Sequence, residues 1–122
     1  MALSVVVLES DPKVARSLAG GLRSHFRSVL VTHSRDELRE KVAKNRPEAV
    51  VLDIETSNLS ELQRLHNDFP SVSIVCTHRI PDEELWMAAL EAGASDVCPS
   101  DDVQNVLHSV IRSLALSGPA AA

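Results

Sequence analysis

Aromatic residues are nearly missing from this chain of 122 residues, which has one Trp, two Phe and no Tyr. So little planar surface, with a net charge of -5, argues against stacking platforms or basic grooves for nucleic acid. Long hydrophobic runs are missing too. The longest is about six residues, whereas a membrane-spanning helix needs about 20. No basic residues precede the first apolar stretch, so a signal peptide is not expected and the chain reads as cytoplasmic, without membrane contact. Cysteine is scarce. Cys76 and Cys98 each close an apolar run and read as reduced, buried thiols. His25, His33, His66, His78 and His108 show no ligand spacing, which discounts a metal–thiolate site. No Gly-rich phosphate loop and no Ser-His-Asp order is evident, so a small enzyme or cofactor binder is poorly supported.

What the chain does have is regular alternation of strand-like and helix-like segments. Strands are expected at Ser4–Leu8, Ser28–Thr32, Ala49–Asp53, Val72–Cys76 and Ala94–Cys98. The first helix starts at Pro12 and carries Val14, Leu18, Leu22 and Phe26 at a spacing of four. Ser34 with Glu37 forms a capping-box pattern ahead of Leu38 and Val42, and Pro47 ends that region. Asn58 or Ser60 opens a third helix with Leu59, Leu62 and Leu65 inward, stopped by Pro70. Pro81, Asp82, Glu83 and Glu84 suit the first turn of a fourth helix, which ends at Gly93. Asp101 or Asp102 caps a fifth, with Val103, Val106, Val110 and Leu114 inward. Residues 1–116 therefore read as one domain and residues 117–122 as a linker or tail.

Five strand–helix units with short connections imply a three-layer α/β sandwich, its parallel sheet covered on both faces. Right-handed crossovers leave few topologies, of which the flavodoxin-like order 2-1-3-4-5 is expected. Ligands gather beyond the carboxyl ends of such strands. Glu9, Ser10 and Asp11 follow the first strand, Asp53 ends the third and Thr77 follows the fourth. The charge is unevenly spread: residues 1–46 carry a net +4 and residues 47–122 a net -9. The basic half reads as solvated helix surface, with a docking face for an acidic protein as the alternative.

Over its length to about residue 114 the chain resembles the receiver domain of two-component response regulators. The resemblance rests on Glu9-Ser10-Asp11-Pro12, Val51-Leu52-Asp53, Ile74-Val75-Cys76-Thr77 and Ala89-Leu90-Glu91-Ala92-Gly93-Ala94-Ser95-Asp96. It implies that Asp53 is the phosphoacceptor and Thr77 the hydroxyl that responds to the phosphoryl group. It also implies Mg²⁺ held by Glu9, Asp11, Asp53 and the carbonyl of Glu55, an oxygen set that suits this ion. A histidine kinase and an output protein or domain are the implied partners, and the role is signalling, not enzymatic.

Several positions depart from the family pattern. Ser10 stands where the second metal-binding acid is expected, and Ser100 where a lysine is expected. His78 replaces a small residue, Val97 an aromatic switch residue, and Ser57-Asn58-Leu59-Ser60 the usual loop after the acceptor. Arg79 is the candidate replacement cation. Each lost cation removes roughly 4 kcal/mol of Coulomb attraction at 4 Å and an effective dielectric near 20, before desolvation. The expectation is an atypical, degenerate receiver that works through protein contacts, with weak or absent phosphorylation. The alternative is a conventional Mg²⁺-dependent switch modified on Asp53. Trp86 and Leu90, four apart on the fourth helix, are the expected partner face, set against the alternative that Trp86 is mostly core. A homodimer through the face formed by helix four, strand five and helix five is also expected.

Overall fold

β-Branched and other aliphatic residues fill the strand-like runs, and their period-two alternation sends side chains to both faces of one sheet. The computed structural model describes residues 3–55, 58–80 and 82–117. Its elements are β1 (Ser4–Leu8), α1 (Pro12–Arg23), β2 (Ser28–Thr32), α2 (Arg35–Asn45), β3 (Ala49–Asp53), α3 (Leu59–Asp68), β4 (Ser73–His78), α4 (Glu83–Glu91), β5 (Asp96–Pro99) and α5 (Val103–Ser117). All strand pairs are parallel and the order is β2-β1-β3-β4-β5, the flavodoxin-like topology read from the sequence.

Alternation divides the core in two. Val6, Leu8, Val50, Leu52, Ile74 and Cys76 pack with Leu38, Val42, Leu62, Leu65 and Ala89 beneath α2, α3 and α4. Val5, Val7, Val51, Val75 and Cys98 pack with Leu18, Leu22, Val106 and Val110 beneath α1 and α5. Cys76 and Cys98 thus belong to opposite faces, and both are free and buried. Burial pushes the Cys76 thiol up to about 12, which keeps it protonated and inert at neutral pH. Among the described residues no helix is long and apolar enough to cross a membrane.

Short polar side chains fix where each helix begins. Asp11 Oδ1 accepts from the Lys13 N–H at 2.9 Å, and Ser34 Oγ accepts from the Glu37 N–H at 3.1 Å. Glu37 returns its carboxylate to the His33 N–H, one residue ahead of the usual capping-box partner. Asn58, not Ser60, caps α3, and Asp102, not Asp101, caps α5. Asp82 caps α4, so it precedes the first turn instead of lying in it.

Four boundaries differ from expectation. Phe26 lies beyond the end of α1, although it is buried in the same core. β4 runs from Ser73 through His78, which brings Thr77 inside the strand. β5 begins at Asp96 because Gly93, Ala94 and Ser95 form the connection: Ala94 N–H bonds Ala89 O and Ser95 N–H bonds Ile74 O. α5 includes Ser117, the first residue of the expected tail; residues 118–122, Ser57 and Pro81 lie outside the described residues.

Gly93 has φ of 122°, and a Cβ there would sit 2.5 Å from His66 Cγ. Both strain and overlap oppose any side chain. Gly93→Ala is expected to cost roughly 3 kcal/mol, read as a lowered urea midpoint with an unchanged m-value.

Candidate functional site

The sheet registers determine which strand ends meet. Leu8 pairs with Leu52, so Glu9 follows β1 beside Asp53, and Asp53 pairs directly with Thr77. Glu9, Asp53 and Thr77 are all buried, at 1%, 1% and 0% exposure. The convergence expected from topology is therefore present, and it lies inside the protein surface.

Burial governs the chemistry of this cluster. It pushes the Glu9 carboxyl up to about 7, opposed by the Asp11 backbone N–H and reinforced by the charge and hydrogen bond of Asp53. The Asp11 N–H donates to Glu9 Oε2 at 3.3 Å, while Glu9 Oε1 has no hydrogen-bond partner among the described residues. Two carboxylate oxygens are compatible at this depth when one carries a proton. The Glu55 N–H donates to Asp53 Oδ1 at 3.0 Å, and the Ser10 hydroxyl approaches Asp53 Oδ2 at 3.5 Å. Thr77 Oγ1 is buried and has no hydrogen-bond partner among the described residues.

The Glu9–Asp53 pair fits a hard divalent ion, since a cation there would satisfy Glu9 Oε1 and offset the charge of both carboxyl groups. The third acid expected in that set is placed otherwise: the side chain of Asp11 is engaged in the cap of α1. Among the described residues no group of three His, Cys, Asp or Glu side chains is arranged to hold a metal. The Glu55 side chain has a different role from a metal ligand, for its Oε2 accepts from the Ile80 N–H at 3.1 Å. One residue thus ties the segment after β3 to the segment after β4.

Ser100 is buried, and its N–H donates to the His78 carbonyl at 2.8 Å. It lines a cavity of about 200 Å³ with Lys13, Val14, Ser17, Asp101 and Val103. Sequence reasoning did not single out Lys13. Its only signal was that α1 follows the acidic segment directly. Arg79, the cation proposed from sequence, is exposed. His78 is half-buried with Nδ1 unpartnered among the described residues, and Val97 is buried in the core beneath α4.

On α4 the structure separates the two expected partner residues. Trp86 is 43% exposed, whereas Leu90 is half-buried against the core. Met87, at 53%, and Ile80, at 71%, are more exposed than Trp86 and were not read from the sequence.

A 2-1-3-4-5 parallel sheet with a buried aspartate closing its central strand is the arrangement of a receiver-type domain. No protein-family model matches the chain. Among curated sequences it is similar to the response regulator MprA of Mycobacterium tuberculosis, 27% identical over 120 residues, covering 93% of this chain and 51% of the relative. MprA of a Mycobacterium species (strain KMS) is 28% identical with the same coverage. The chain thus spans about half the length of the curated relatives it matches. Solved structures agree in fold. A response regulator from Thermotoga maritima superposes with a TM-score of 0.86 at 17% identity, covering 94% of this chain and 99% of that one. A CheY-like receiver domain from Methanospirillum hungatei gives 0.85 at 15% identity, covering 96% and 97%. The BeF3-activated DrrB receiver domain gives 0.83 at 18% identity, covering 94% and 99%. Sequence relatives and structural neighbours together support a response regulator receiver domain.

Proposed function

We propose that the chain is an atypical receiver module of cytoplasmic two-component signalling, acting through protein contacts on the α4 side with weak or absent phosphorylation of Asp53. The observation that carries this reading is a pair of hydroxyls in the acid and lysine positions, Ser10 with its Oγ 3.5 Å from Asp53 Oδ2 and Ser100 buried after β5. Phosphoryl transfer depends on positioned positive charge more than on covalent chemistry. A site with hydroxyls in place of that acid and that lysine is poorly prepared for a dianion. Bound at Glu9, Asp53 and the Glu55 carbonyl, Mg²⁺ would supply that charge. Thr77 Oγ1 would then offer its free hydrogen-bonding capacity to a group on Asp53, and Lys13 is the basic side chain bordering the Ser100 cavity.

The second reading, a conventional Mg²⁺-dependent switch, draws support from Thr77 and Asp53 sharing a register position. Intact mass after incubation with Mg²⁺ and acetyl phosphate separates the two. The expected result is little or no gain of about 80 Da, one phosphoryl group. A stoichiometric, metal-dependent gain that Asp53→Asn abolishes would establish the conventional switch. Partners on this reading are a kinase and an output protein or domain, with a homodimer through α4, β5 and α5 as a further arrangement.

A further inference from the structure

Between Arg79 and Arg112 the sequence contains no Lys or Arg and seven Asp or Glu. Three of those acids, Glu83, Glu84 and Glu91, share the outer face of α4 with the exposed Met87 and with Ala88. They line an open groove of about 440 Å³. A second groove, of about 310 Å³, shares Ala88 and Glu91 and adds Ala92 with Leu59, Ser60 and Gln63 from α3. The two adjoin through Ala88 and Glu91, with Leu59, Met87, Ala88 and Ala92 apolar and three glutamates among the lining residues. Helical spacing puts Trp86 on the flank away from Ala88, beside the depression and not within it.

Glu91 is the informative residue. It stands in the last turn of α4, where the helix presents its negative pole, and that turn has no basic residue. An acid there opposes the dipole and costs stability. A residue that breaks a local rule without a local partner marks a surface shaped for something outside the molecule.

We propose that this α3–α4 groove docks a basic, amphipathic helical segment of a partner protein. Leucine-like side chains would enter the strip around Met87 and Ala88, while lysines or arginines meet Glu83, Glu84 and Glu91. Residues 80–111 hold no Lys or Arg, so the glutamates of the α4 wall have no Lys or Arg of their own segment beside them and suit a basic occupant. This deepens the partner reading given above, and it requires neither metal nor modification of Asp53.

Trp86 is the only Trp in the chain, so its emission reports on α4 without labelling. The probe is an amphipathic peptide of about 14 residues made only of Leu and Lys, with a Leu–Glu peptide of the same pattern as control. Titrations are run on the full chain in EDTA without a phosphodonor, so their failure leaves the acceptor assay untouched. The Lys peptide is expected to shift Trp86 emission saturably, with affinity falling as salt rises, while the Glu peptide has no effect. Glu84→Gln with Glu91→Gln is expected to weaken binding about tenfold, whereas Asp36→Asn with Glu40→Gln, an equal charge change on α2, leaves it nearly intact. Circular dichroism checks that both pairs of variants fold. Equal binding of the two peptides, or equal weakening by the two pairs of substitutions, would overturn the proposal. So would an emission shift that tracks the protein's own concentration, which would assign the groove to a second copy.

Discussion

Ser10→Asp combined with Ser100→Lys is expected to raise Asp53 labelling by a small phosphodonor roughly a hundredfold in the presence of Mg²⁺. The double change returns a metal-binding acid and a phosphate-pairing cation to the positions where the chain carries hydroxyls. Ser10 is well placed for the first, since its Oγ already approaches Asp53 Oδ2 at 3.5 Å. Ser100 is buried beside a cavity of about 200 Å³, which gives a longer side chain room to extend. The single substitutions separate the contributions. Ser10→Asp alone adds a third carboxyl group beside Glu9 and Asp53, so it should lower the melting temperature in EDTA and make that temperature rise with added Mg²⁺. Labelling rates by intact mass and melting curves with and without metal read both effects. If the double variant labels no faster than the parent chain, the missing charges are not what limits this site.

Glu9→Gln is expected to stabilise the domain by about 2 kcal/mol at pH 8 and to change little at pH 4. The folded Glu9 value of about 7 lies above the ordinary 4.5, with burial as the first cause. Between those two values the folded chain holds a proton that the unfolded chain has released. Stability contributed by the neutral form is therefore complete below pH 4.5, falls as pH rises toward 7, and is gone above it. Glutamine is neutral throughout. Its amide keeps an oxygen for the Asp11 N–H and offers Asp53 a permanent donor, so the pH-dependent loss should vanish. Urea denaturation across pH 4–8 checks this, and a slope that survives in the variant would assign the pH dependence to another group.

Other parts of the charge arrangement are structural. Glu61, buried on α3, pairs with Arg39 at 3.3 Å and Arg64 at 3.8 Å, and Arg39 also bonds Asp68. This joins α2 to α3 on the side of the sheet that carries α4. On the other side, Ser109 bonds Asp96 at 2.6 Å and meets Cys98 at 3.1 Å, fixing α5 to β5. Both networks hold helices against the sheet and leave the Asp53 end to its own acids.

The legible parts of this molecule were those set by local periodicity and by connection length. Apolar runs of strand length alternating with helical stripes placed all ten elements, because buried strands and amphipathic helices need those patterns wherever they occur. Short connections and right-handed crossovers then left few strand orders, and the one expected among them is the one observed, with the meeting of Glu9, Asp53 and Thr77. The boundaries that shifted, at Phe26, His78 and Asp96, are places where packing and backbone bonding extend or replace the local pattern. The capping choices between Asn58 and Ser60, and between Asp101 and Asp102, were equally acceptable locally and were decided by which backbone N–H groups each side chain could reach.

The sequence by itself determined the alternation, the sheet order and which residues stand at its carboxyl end, since these follow from hydrophobic period and chain reach. Only the tertiary structure decided what those residues do to one another. Depth of burial pushes the Glu9 carboxyl up, Asp11 caps α1 through its Oδ1, and the Glu55 carboxylate crosses to Ile80. The same holds on α4, where packing turns Leu90 inward and leaves Met87 in solvent. Desolvation and hydrogen-bond geometry depend on neighbours that are distant in sequence, and no local pattern encodes them.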